Sequence, residues 1–296
     1  MLPAVPKQSH SPRPLTVSIV GPGNLGMALA LTLPSAGYVV KFIAARPKSI
    51  ASRETKGLAR RVKARLVALG KVPLDSDLVW ITVPDDAIAA TALRLARAQD
   101  WQGKIVFHSS GALTSDDLAP LRAQGAKVAS VHPSMTFVRG PAPQMRGVAF
   151  AVEGDPAAVR VAKRIVRDLG GTTYAIDKRN KVLYHAFGSF ASPLVIALLA
   201  SLERVAQAAG IRPDDAKTMM VPLLTQTLRN YLQHDAASAF SGPLVRGDVA
   251  TVRRHLEELK AVPEAHAVYI ALARSAVMNL PVKNRKAMER ELKSRE

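Results

Sequence analysis

Lys181, Tyr184 and His185 stand at i, i+3 and i+4 in a stretch with helical patterning, so they share one helix face. The same geometry adds Ser189 and Ser192 and draws a polar stripe along an otherwise apolar rod. A buried polar stripe must be paired or must face a cavity. Hydride addition to a carbonyl or imine needs a proton donor beside the forming alkoxide or amine, and His, Lys and Tyr are the usual suppliers. His185 ranks first as that donor, because an ordinary imidazole pKa of about 6.5 lets it give and retake a proton near neutrality. Lys181 suits the orientation of an anionic substrate, and Tyr184 a hydrogen bond to the cofactor or the reacting oxygen. The competing reading is a satisfied core histidine, with serines bonded back to the helix backbone. His132 completes the catalytic candidates, since Pro133 holds it extended at the end of a strand. Arg246, in the run Ser241 to Asp248, is placed to clamp a substrate carboxylate, with Asn230 as a second substrate contact. Asp248 reads equally well as a helix N-cap. No H-E-x-x-H or clustered carboxylates occur, so no metal site is expected.

Such a stripe acts on a hydride only if a cofactor lies beside it. Leu15 to Val20 is an alternating β-branched run, followed by Gly21-Pro22-Gly23-Asn24-Leu25-Gly26 and then a helical pattern from Met27. In that context the first glycine permits a tight turn, the second lets backbone approach a pyrophosphate, and the third lets helix pack on strand. Gly21, Gly23, Asn24, Leu25 and Gly26 are therefore the phosphate-binding candidates, at a helix N-terminus whose dipole favours an anion. The strand Tyr38 to Ala44 ends without the Asp or Glu that accepts from ribose hydroxyls; Arg46, Lys48 and Ser49 follow instead. Charge-assisted donors there suit a 2′-phosphate, so NADP(H) is the expected cofactor. Val83, Pro84, Ser109 and Ser110 lie just past two further strands, where the nicotinamide half of the cofactor is expected.

The elements that would position these residues alternate. Strands are expected at 15–20, 38–44, 64–69, 77–83, 104–108, 129–131, 148–152 and 172–176, with helices between them; beyond Asp177 only helices follow. This predicts an α/β fold, a Rossmann-type doubly wound and mainly parallel sheet over 15–176, followed by an all-helical domain over 177–296. Residues 1–14 hold four prolines and no apolar h-region, and read as a disordered leader and not a secretory signal.

With no cysteine, disulfides, thiolate catalysis and Cys-ligated zinc are all excluded. Val182 to Leu202 carries no charged residue, but its serines, His185 and Pro193 make a membrane span improbable. Burial between domains or in a homodimer interface explains the stretch better. A cytoplasmic protein is the default expectation. Of the net charge of +18, half falls between Lys41 and Lys71, where ten Lys/Arg face Glu54 alone. A nucleic-acid-binding protein is the weaker explanation of that charge, because no aromatic interleaving or nucleic-acid motif accompanies it. A non-catalytic NADP-binding redox sensor is the other alternative, since fold does not fix function.

Six motifs in order, GPGNLG at 21–26, TVPDDAI at 82–88, HSSGAL at 108–113, HPSMTF at 132–137, YHAF at 184–187 and SGPLVRGD at 241–248, carry a family resemblance. The chain resembles the Rossmann-like NADP oxidoreductases of uncertain substrate that are related to pyrroline-5-carboxylate reductase and deazaflavin-dependent NADP reductases. The resemblance implies a dinucleotide domain, a dimerising helical domain like that of 6-phosphogluconate dehydrogenase, and a small 2-oxo acid (a ketopantoate-type one among them) or cyclic imine as substrate. The chain departs from the pattern at Pro193, where many members have Asn nine residues after the Tyr. Any role of that Asn does not transfer, and a proline there is expected to kink the helix.

Overall fold

Alternation in the first strand dictates how the sheet is buried. In β1 (Thr16–Val20) the side chains of Val17 and Ile19 join one apolar cluster and Val20 the other, as a period of two requires. The computed structural model that shows this describes residues 13–138, 140 and 145–293. Of the expected leader, residues 1–12 lie outside the described residues; Arg13 is paired with Asp77 at 2.8 Å.

Eight strands run in the order β3-β2-β1-β4-β5-β6-β7-β8. They are β1, β2 (Val39–Ala45), β3 (Arg65–Ala68), β4 (Leu78–Ile81), β5 (Ile105–His108), β6 (Lys127–Pro133), β7 (Ala149–Gly154) and β8 (Thr172–Ala175). All neighbours pair parallel except β6 with β7. The order reverses between β1 and β4, and at such a switch point the carboxyl ends of the strands leave a crevice. One face is covered by α1 (Asn24–Thr32), α3 (Arg53–Arg61) and α6 (Pro156–Asp168), which contribute Leu29, Leu58 and Ile165. The other is covered by α4 (Asp85–Ala96) and α5 (Ala119–Ala123), through Ile88, Leu95 and Leu121. A sheet covered on both faces needs apolar side chains on both, and Leu78–Ile81 is buried throughout. The doubly wound α/β fold is the one the sequence pattern implies. The short α2 (Pro47–Ala51) begins directly after β2.

Register sets the site's floor. Ala44, Val20, Ile81, His108 and Ser130 align in one row across the sheet. Every candidate from Gly21 to His132 comes one to six residues after its member of that row. They therefore emerge at one edge.

The chain forms two units, Met1–Gly188 and Ser189–Glu296. The helix α7 (Lys181–Ala191) begins in the first, so the packing boundary lies beyond the change of pattern at 176/177. The second unit contains α8 (Pro193–Ala208), α9 (Pro213–Gln233), the short α10 (Ala236–Ala239) and α11 (Pro243–Arg246), then α12 (Val249–Leu259), α13 (Pro263–Asn279) and α14 (Arg285–Lys293). Its core joins Val252 and Leu256 to Ile270, Val277, Met288 and Leu292. Asp248 caps α12 by accepting from Thr251 N at 3.0 Å, which is the structural role weighed for it above.

Two expectations about the apolar stretch need correction. Pro193 does not kink one helix but separates two: Ser192 leaves helical geometry at φ −135°, ψ −81°, and Pro193 opens α8 at its first position. The polar stripe therefore does not continue to Ser192. The stretch is also not buried within the chain, for Val182, Leu183, Phe187 and Phe190 are 67–74% exposed. By length and composition alone, 178–208 is long and apolar enough to cross a membrane.

Candidate active site

The three glycines after β1 answer to different neighbours. Gly21 has φ +96°, a conformation that only glycine adopts without strain, and a Cβ there would fall 2.8 Å from Val83 Cγ1. A Cβ on Gly26 would lie 2.2 Å from the Gly21 carbonyl oxygen and 2.7 Å from Thr82 Oγ1, which donates to that same carbonyl. The chain itself thus requires glycine at 21 and 26. Gly23 is another matter: its φ of −75° suits any residue, and nothing lies within 4 Å of where a Cβ would be. The exposed space over Gly23 opens at the N-terminus of α1, where no side chain caps the first N–H groups. A phosphate fits both facts.

Asn24 and Leu25 do not present side chains to that space. Asn24 Nδ2 donates to the Phe137 carbonyl at 2.8 Å, tying the loop after β6 to the start of α1, and Leu25 packs against the core. Only their backbone N–H groups remain for an anion. Arg46, at the N-cap of α2, and Lys48 are exposed, with no ion-pair partner among the described residues; Ser49 is half-buried beside them.

Beyond β4 and β5 the side chains bond to one another. Val83 packs over Gly21, and Pro84 caps α4. Ser109 Oγ accepts from Trp80 Nε1 at 2.8 Å. Ser110 is buried: its hydroxyl donates to Asp85 Oδ2 at 2.7 Å and accepts from the backbone of Ala112 and Leu113. Its side chain is thus fully hydrogen-bonded within the chain. His108 is wholly buried between Ser110 N and the Thr114 carbonyl, and burial holds its imidazole down at about 4.

The stripe on α7 meets this edge. The Tyr184 hydroxyl bonds His132 Nδ1 at 2.8 Å and Ser134 Oγ at 2.7 Å. Burial pushes the Tyr184 phenol up. Burial, with help from the charges of Lys181 and His185, pushes His132 down to about 4, so its imidazole is neutral at neutral pH. His185 is exposed, its ring 6.2 Å from that of His132 at 84°. Gly111 makes the approach possible, because a Cβ there would lie 2.6 Å from His185 Cδ2 and 2.9 Å from His132 Nε2.

Lys181 behaves differently from the role first given to it. It is 1% exposed, and its ammonium donates to the Ser110 carbonyl at 3.0 Å and to Ser130 Oγ. Burial lowers it to about 8. The enclosed ammonium joins α7 to the ends of β5 and β6, on the helix face that carries Tyr184. Asp85, Gly111, Ser130 and Ser134 belong to the same arrangement and were not among the sequence candidates. The spacing of TVPDDAI points to Asp85 only as a helix-start residue, and Gly111 has no sequence signature beyond being a glycine. Arg246 and Asn230 lie in the second unit: Arg246 ends α11 and is exposed, and Asn230 Oδ1 accepts from Gln226 at 2.7 Å. Among the described residues no group of His, Asp and Glu could hold a metal, and there is no cysteine.

With the geometry established, known proteins can be compared. Residues 3–133 match the model of a Rossmann-like domain, and residues 148–276 match a family described as a domain of unknown function, DUF2520. No curated protein matches the chain. Among solved structures, a candidate NADP oxidoreductase from Bacteroides fragilis superposes with a TM-score of 0.73 at 20% identity, covering 89% of this chain and 98% of that one. An imine reductase from Myxococcus stipitatus in complex with NADP+ gives 0.65 at 16% identity, covering 94% and 99%. A pyrroline carboxylate reductase from Plasmodium falciparum with NADP bound gives 0.59 at 14% identity, covering 96% and 99%. At these identities the similarity establishes the shared fold: a Rossmann-like domain followed by a helical one.

Proposed function

We propose that this protein is an NADP(H)-dependent oxidoreductase that transfers a hydride to or from a small 2-oxo acid or cyclic imine. The observation that carries the reading is Gly23, a glycine that nothing in the chain requires, beneath open space at a helix N-terminus. The same edge of the same sheet carries a neutral His132 bonded to Tyr184. The reductases of similar fold that hold NADP or NADP+ support the choice of cofactor.

In this reading the backbone N–H groups at the start of α1 hold the pyrophosphate. Arg46 and Lys48, with Ser49, take the 2′-phosphate, and Val83 and Pro84 with Ser109 line the nicotinamide half. The bound dinucleotide supplies or accepts the hydride. Tyr184 and His185 then hold and move the proton at the reacting group, with the Tyr184 hydroxyl oriented by His132 and Ser134.

We also propose that a second copy covers the exposed apolar side chains of the helical unit. Leu223 and Leu232 on α9 are 70% and 81% exposed, and an apolar patch of that kind is an aggregation liability on a monomer. Sedimentation as a stable monomer at micromolar concentration would remove the homodimer.

The direct test of function is consumption of NADPH against a panel of 2-oxo acids and cyclic imines. Turnover with at least one member is expected. Tight NADPH binding with no turnover across the panel would favour a redox sensor.

A further inference from the structure

The Asp85 carboxylate is the feature of the reacting edge that the chemistry above leaves unused. It opens α4, directly after Val83 and Pro84, and is exposed. One oxygen accepts the Ser110 hydroxyl at 2.7 Å, and among the described residues no cation pairs with it. Ser110 leads into Gly111, against which the imidazoles of His132 and His185 lie. Asp85 is close enough for its charge to pull His108, His132 and Lys181 upward against the stronger effect of burial.

Among the described residues no Lys, Arg or His forms an ion pair with Asp85, and the nearest ionisable groups are otherwise engaged. The Lys181 ammonium is enclosed beneath Ser110 and Ser130. His108 and His132 are held neutral by burial. A carboxylate without an ion pair at such an edge repels an anion and attracts a cation.

Resting on the dinucleotide reading, we propose that Asp85 is the counter-ion for a planar nitrogen cation, so that the group reduced here is an iminium and not the carbonyl of a 2-oxo acid. The imine nitrogen first takes a proton from solvent through the Tyr184 and His185 side chains. A hydride from the reduced nicotinamide dinucleotide then adds to the carbon of the C=N bond, and the π pair becomes the nitrogen lone pair. No proton moves in that step. The substrate gains two electrons, the dinucleotide loses two, and the positive charge passes from the substrate nitrogen to the pyridinium ring. One fixed carboxylate therefore faces a cation before and after transfer. A 2-oxo acid offers no such constancy, for it brings an anion and needs a proton at the new alkoxide.

The test is equilibrium binding to the full-length protein by titration calorimetry. The probes are NADP+, NADPH, and then, at saturating NADP+ or NADPH, protonated pyrrolidine as a cation and oxamate as a 2-oxo acid mimic. The variants are Asp85→Asn, which keeps an acceptor for Ser110, and Asp86→Asn, which makes the same change in net charge one residue away. In the wild type pyrrolidine is expected to bind more tightly than oxamate. Asp85→Asn is expected to weaken pyrrolidine at least tenfold and to lower the preference for NADP+ over NADPH severalfold, while Asp86→Asn leaves both unchanged. A shift in pyrrolidine alone assigns the cation to the substrate; a shift in the cofactor ratio alone assigns it to the pyridinium and overturns the iminium. Oxamate binding more tightly than pyrrolidine to the wild type overturns the proposal even if the variant fails to fold. So does an Asp85→Asn protein in which neither quantity moves. Failure of the wild type to bind NADPH is a separate result, which would remove the dinucleotide reading and this inference with it.

Discussion

At the sheet edge of the first unit Lys181 bonds Ser130 and the Ser110 carbonyl while His132 and Ser134 both bond the Tyr184 hydroxyl, whereas on α9 of the second unit Leu223 and Leu232 stand 70% and 81% exposed. The first unit packs closely around β1 and leaves open space over Gly23, while its last helix, α7, exposes Val182, Leu183 and Phe187. The second unit has a core of its own around Leu256 and Met288 but leaves much of α9 uncovered. Open space over backbone N–H groups at a packed sheet edge points to a small ligand. Uncovered apolar side chains point to another polypeptide surface.

The largest expected effect breaks the first unit's interior. Gly26→Ala forces a Cβ to within 2.2 Å of the Gly21 carbonyl oxygen, so thermal unfolding should show a loss of about 3 kcal/mol, the upper end of the range usual for overpacking. A variant as stable as the wild type would mean that α1 sits further from β4 than described. Next is the ligand side of the comparison. Losing one charge-assisted hydrogen bond costs roughly 1.5–3 kcal/mol, so Arg46→Ala should weaken NADPH by about tenfold to a hundredfold and barely change NADH. Equal losses for both cofactors would remove the 2′-phosphate role.

The second unit should respond in the opposite sense. Leu223→Asp with Leu232→Asp alters no buried side chain, so the folded chain should keep its melting temperature to within the roughly 0.5 kcal/mol usual for surface changes. Its self-association should nonetheless fall by more than tenfold in sedimentation. Unchanged association would place the dimer surface elsewhere.

The smallest effect is a slope. Burial lowers Lys181 from 10.5 to about 8, so between those values the unfolded chain holds a proton that the folded one has released. Stability should therefore rise with pH across that window, and Lys181→Met should flatten the rise. A wild-type curve without it would show that the ammonium is better solvated than its enclosure implies.

How much of this the sequence reveals follows from what periodicity can report. Alternation in Thr16–Val20 and the glycine spacing identify the sheet and its turn, because both signals are local. The i, i+3, i+4 spacing correctly sets Lys181 and Tyr184 on the face of α7 that meets the sheet. It gives the face but not the depth, so it cannot tell that Lys181 ends in a closed pocket and Tyr184 at its rim. Asp85 reads as a helix-start residue, and its link to Ser110 spans 25 positions that no local pattern connects. The apolar run after Val182 suggests burial, and the chain alone does not provide it.

The central claim is that the space over Gly23 is kept for the cofactor's phosphates. The most direct measurement is a fluorescence titration of NADPH into Gly23→Ala beside the wild type, with both melting curves recorded. A Cβ at Gly23 meets no protein atom within 4 Å, so the fold should be unaffected, yet the methyl occupies the space where a pyrophosphate would approach the backbone. The account predicts an unchanged melting temperature and NADPH affinity reduced by at least tenfold. Wild-type NADPH affinity in a stable Gly23→Ala protein would contradict it.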